Sequence, residues 1–135
     1  MDQNILNILM SLAHRKDTII GDLCSKDTAS CSKKWLTSEF YLDAIMDEVE
    51  EVRPHLKDNN SVYLEDELWD VLWDYINLIF LLEKEWRIDA SSVFKKMLEK
   101  YEERVHALEN NVSWSEVKKT QKEELLKDHN KKYNA

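Results

Sequence analysis

Four carboxylates stand in two pairs within the stretch DEVEEVRPHLKDNNSVYLEDELWD, residues 47–70. Glu48 and Glu51 are three residues apart, and so are Glu67 and Asp70. Positions i and i+3 are neighbours on a helix surface, so each pair projects from one face if both ends are helical. The polar segment from Lys57 to Ser61, with Asp58, Asn59 and Asn60, reads as a turn that folds the second helix back on the first. The four carboxylates then converge. Packed together they repel and cannot all stay ionised without compensation, which a divalent cation usually supplies. Oxygen-only ligation suits Mg²⁺ or Mn²⁺, and no His or Cys stands at a spacing that suits zinc. Mg²⁺ normally takes one or two carboxylates and completes its shell with water and phosphate. Four carboxylates therefore point to more than one ion and a substrate that brings phosphate oxygens. The same spacing equally describes a solvated acidic helix face.

A second constellation lies downstream in SSVFKKMLEKYEERVHALE, residues 91–109. Lys96, Lys100 and Arg104 recur every four residues and form one stripe of a helix, beside an apolar stripe of Val93, Met97, Tyr101, Val105 and Leu108. Fixed positive donors opposite a cation-loaded acidic site are what a polyphosphate needs. The plainer reading is surface Lys paired with Glu99, Glu102 and Glu103.

The elements that must carry these groups are helices. One Gly and one Pro leave few breakers, and no strand alternation is visible. Ile5, Leu6, Ile8, Leu9, Leu12 and Ala13 predict an amphipathic helix over 2–16. Residues 17–34 read as a polar loop, with a short helix near 19–23. Thr37 or Ser38 is a natural N-cap for a helix that ends near Leu56, with Glu39 in its first turn and Pro54 weakening its last. The next helix spans about 62–86. From Val71 to Leu82 it is apolar on nearly all sides, so it must be buried on all sides, and a second subunit is expected to cover what its own bundle cannot. Asp74 and Asn77 sit within that run as further ligands or as a buried polar network. A helix over 90–108 follows. Ser113 and Glu116 then make an S-x-x-E capping pattern for a last helix to about Lys127, before a frayed tail at 129–135. Residues 1–30 form an N-terminal helix and polar loop packed on the bundle.

The net charge is −8, and the residues before Ser113 carry −10 of it. That argues against nucleic-acid binding and fits a cation-loaded site. Cys24 and Cys31 are too few for a disulfide scaffold and match no zinc pattern, which favours reduced thiols in a cytoplasmic protein. Asn4 and Asn7 break the first apolar run, so no signal peptide is read. The run from Val71 to Leu82 is too short and polar to cross a membrane. His14, His55, His106 and His129 are scattered and read as surface residues. No Ser/His/Asp set and no Gly-rich phosphate loop occur.

These residues together resemble the MazG family of nucleoside triphosphate pyrophosphohydrolases, within the all-α NTP pyrophosphatase superfamily. The family pattern EExxE followed by ExxD stands here as Asp47–Glu51 and, fifteen residues on, Glu67–Asp70. Cys31, Trp35 and Thr37 resemble the Cys, Trp and Thr found upstream. Lys96, Lys100, Tyr101 and Arg104 match K-x-x-x-K-[FY]-x-x-R, and WSEVKK from Trp114 resembles a Trp-x-x-[IV]-K element. Asp47, Trp69 and Tyr63 depart from the pattern, the last where some members carry Lys. The resemblance implies an all-α helical bundle over 31–128, built around an antiparallel helix pair and completed as a homodimer or dimer of dimers. It implies Mg²⁺-dependent hydrolysis of a (deoxy)nucleoside triphosphate to monophosphate and pyrophosphate, with Glu48, Glu51, Glu67 and Asp70 as ligands and catalytic groups. Lys96, Lys100 and Arg104 would take phosphate charge and Trp114 the base. A base-selective dUTP or dCTP pyrophosphatase and a non-catalytic helical interaction module are the other readings.

Overall fold

A computed structural model describes residues 3–26 and 31–134. Every regular element among the described residues is helical, as the scarcity of breakers predicts. The helices are α1 (Gln3–Ser25), α2 (Ser38–Val52), α3 (Ser61–Lys84), α4 (Ala90–Glu109) and α5 (Trp114–Tyr133), with 3-10 turns at Lys33–Leu36 and Arg53–His55. No described helix is long and apolar enough to cross a membrane. The chain divides into two compact units, residues 1–90 and 91–135.

In the first unit α2 and α3 are the main packing pair. Ser38, at the start of α2, contacts Glu85 at the end of α3, whereas Glu48 on α2 meets Asp70 on α3. The two helices are therefore antiparallel. The Thr37 hydroxyl accepts the Phe40 N–H and opens α2. Pro54 lies in the 3-10 turn that replaces the last turn expected for α2. The core holds Ala13, Ile20, Tyr41, Ile76, Ile79 and Leu81. Asn77 is 1 % exposed. Its side chain donates to the Trp73 carbonyl at 2.8 Å and accepts from the Lys16 ammonium, which also bonds the Tyr41 hydroxyl.

Two expectations need correcting. First, α1 does not stop at residue 16 but continues through Gly21 to Ser25. Ile20 is buried, and Asp17 pairs with Lys84 on α3 at 2.6 Å. These long-range contacts outweigh the roughly 1 kcal/mol that a glycine costs inside a helix. Second, Cys24 and Cys31 are not free thiols. They form a disulfide across seven residues, their Cα atoms 4.7 Å apart. The extension of α1 brings Cys24 to the mouth of the loop where Cys31 returns. Of the residues between, 27–30 fall outside the described ones.

The second unit contains the paired helices α4 and α5. The Ser113 hydroxyl accepts the Glu116 N–H and starts α5, which runs beyond Lys127 to Tyr133. Val117, Gln121 and Arg104 are buried within this unit.

Candidate metal centre

The antiparallel pair carries the acidic motifs to one place. Glu48 on α2 and Glu67 and Asp70 on α3 each offer a carboxylate oxygen, all within 4.8 Å of one another. Glu51, one turn after Glu48, is not one of this trio and is exposed, so three of the four expected carboxylates converge. One oxygen of Glu48 and one of Glu67 are buried with no hydrogen-bond partner. Buried unpaired carboxylate oxygens are costly. The electrostatics agree. Burial, then the hydrogen bond and charge of Glu51, then Asp70 and Asp74, push the Glu48 carboxyl up to about 7. Loss of water and the charge of Glu51 raise Glu67. Desolvation, then Asp66 and Glu51, raise Asp70. Desolvation and Asp70 raise Asp74, against the opposing pull of Lys16. Each group is held away from its charged form by water loss and by other acids. The donor set, all oxygen and anionic, fits a hard divalent cation.

Groups around the trio were not evident from sequence. Lys16 reaches from α1 into the polar core, with its ammonium 4.3 Å from the Tyr41 ring centre and 5.4 Å from that of Trp73. Burial lowers it to about 8 despite the charges of Asp17 and Asp74. Burial and the same two acids push Tyr41 up to about 12. His55 lies with Nε2 3.5 Å from Glu67 Oε1. A usable signal existed for it, because His55 follows Glu51 by one helical turn. Glu50, the other candidate for orienting water, is turned to Arg53 at 3.4 Å, both side chains exposed.

The residues expected to bind substrate belong to the second unit. Lys96, Lys100 and Arg104 line a groove of about 570 Å³ between α4 and α5, with Lys118 and Lys122 from α5. Arg104 is 6 % exposed. Its Nε donates to Gln121 Oε1 at 2.8 Å, and its guanidinium lies 5.1 Å from the Trp114 ring centre and 5.3 Å from that of Tyr101. Gln121 in turn donates to the Lys100 carbonyl and to Glu103. Arg104 and Trp114 are thus brought together, and Lys96 and Lys100 stand along the groove. Of the α5 lysines, Lys118 was visible in WSEVKK, but its alignment with the α4 stripe was not.

The sequence model of the MazG nucleotide pyrophosphohydrolase domain matches residues 36–108. No curated protein and no solved structure matches the chain significantly.

Proposed function

We infer the function from one premise: the chain belongs to the MazG nucleotide pyrophosphohydrolase family. The reading is hydrolysis of a (deoxy)nucleoside triphosphate to the monophosphate and pyrophosphate, dependent on Mg²⁺ or Mn²⁺. Its main support is the meeting of Glu48, Glu67 and Asp70 with two orphaned buried oxygens between them. These three residues would hold the cation, and Glu51 would complete the set. A bound divalent cation supplies charge for the phosphate oxygens and acidifies water.

The chain's own groups do the rest. Glu51 is exposed and its charge acts on Glu48, whereas Glu50 is turned to Arg53. We assign to Glu51, rather than to Glu50, the orienting of the attacking water and the acceptance of its proton. Attack falls on one of the two phosphorus atoms that flank the α–β bridging oxygen. That P–O bond breaks, the water hydroxyl stays on the attacked phosphorus, and pyrophosphate and monophosphate separate. In the second unit, Lys96, Lys100 and Arg104 are the groups offered for phosphate charge and Trp114 for the base. Arg104 is offered from a packed position that fixes its plane. Exposed apolar side chains at Leu42, Met46 and Val49, spaced as one stripe of α2, support a homodimer.

The test is Glu51→Gln. The reading expects pyrophosphate release to vanish while the melting temperature holds. Undiminished turnover in that variant would remove Glu51, and with it the water-orienting step.

A further inference from the structure

His55 closes the 3-10 turn after α2, and each of its ring nitrogens faces a polar group. The Asn60 side-chain nitrogen lies 3.1 Å from His55 Nδ1 and 3.0 Å from the His55 backbone oxygen. A carbonyl oxygen only accepts, so the Asn60 atom there is its NH₂ group, a donor. Nδ1 must then accept from Asn60, and the single proton of the neutral ring is on Nε2. That nitrogen faces Glu67 Oε1 at 3.5 Å. The Tyr63 ring stacks against the imidazole, centres 6.0 Å apart and planes 23° apart. Tyr63 departs from the family pattern, and here it walls the histidine in. The other Glu67 oxygen, Oε2, is buried with no partner. One oxygen of this carboxylate is therefore addressed by the protein and the other is left open.

We propose that His55 is a positioning residue for Glu67: Asn60 fixes its tautomer, and its Nε2–H holds Oε1 so that Oε2 is presented to the divalent cation. The proposal rests on the carboxylate cluster being a metal centre. It assigns a role to the polar linker between the acidic motifs, which supplies a carboxylate with the kind of outer partner that orients metal ligands elsewhere. His55 touches neither substrate nor ion in this role. Its effect is on how well the cluster is shaped for the cation, and so on affinity for the metal rather than for the nucleotide.

The test titrates Mg²⁺ and Mn²⁺ into the nucleotide-free full chain by calorimetry, for the wild type, His55→Ala, His55→Gln and Asn60→Ala. Loss of such an outer partner typically weakens metal binding about 10- to 100-fold, and that is the expectation for His55→Ala. His55→Gln, which keeps a donor, should recover most of it, and Asn60→Ala should fall between. In turnover assays His55→Ala should need more Mg²⁺ for half-maximal rate, with KM for nucleotide unchanged once Mg²⁺ saturates. Wild-type affinity in a folded His55→Ala overturns the proposal and leaves the metal centre standing. No binding to the wild type overturns the metal centre itself. If His55→Ala does not fold, Asn60→Ala decides, because the ring remains while the bonds that fix its tautomer and its carbonyl are released. Unchanged affinity there overturns the proposal.

Discussion

Replacing Glu48 by Gln should make the metal-free protein more stable and the metal-loaded protein less so. Glu48 is forced up from 4.5 to about 7 by burial and by Glu51, Asp70 and Asp74. A carboxyl whose folded value is raised binds its proton more tightly folded than unfolded. The contribution of Glu48 to metal-free stability is thus fullest below pH 4.5, declines as the pH rises towards 7, and is level above that. At face value the displacement is worth roughly 3 kcal/mol. Water around the half-exposed cluster screens it to about 1 kcal/mol. Gln keeps the shape and removes the charge, so at pH 8 without metal Glu48→Gln should melt roughly 4 °C above the wild type. Mg²⁺ reverses the order. At a free concentration about 100 times its dissociation constant, a ligand adds about 2.7 kcal/mol to the form that binds it. The wild type should gain that and the variant little of it. Thermal melts at pH 5 and pH 8, with and without Mg²⁺, read the crossover. A variant less stable than the wild type at pH 8 without metal would refute the charge argument. A variant that kept the full Mg²⁺ shift would refute the ligand assignment.

Other outcomes follow from the same geometry. Trp86 ends α3 in the left-handed region, φ 61°, and is 94 % exposed. Glycine avoids the Cβ clash there, so Trp86→Gly should raise stability by about 1 kcal/mol, and a lower melting temperature would contradict this. Lys100→Ala should raise KM for nucleotide and leave the melting temperature alone. Arg104→Ala should also raise KM, and by unpairing the buried Gln121 it should cost about 2 kcal/mol in a denaturant titration. Unchanged kinetics in both would remove the basic stripe from the substrate site. Sedimentation equilibrium at micromolar concentration should show a dimer, and a monomer would contradict the reading of the α2 stripe.

The acidic hairpin was legible because its information is local. Glu48 and Glu51, and Glu67 and Asp70, share a helix face by spacing alone, and the polar linker between them can only turn. Thr37 and Ser113 announced their caps in the same way. What escaped was set by distant partners. Asp17 looks like a loop residue until Lys84 meets it. Lys16 looks solvated until Tyr41 and Asn77 enclose it. Cys24 finds Cys31 only because α1 runs on to Ser25. His55 becomes informative once the turn sets it between Asn60 and Glu67. Arg104 reads as a surface cation by period, and only the packing of α5 buries it.

The central claim is tested most directly by measuring both products from each of the eight common NTPs and dNTPs, with and without Mg²⁺. The account predicts pyrophosphate and nucleoside monophosphate in equal amounts, from at least one nucleotide, and only when the metal is present. Release of single phosphate, or equal rates in the presence of a chelator, would contradict it.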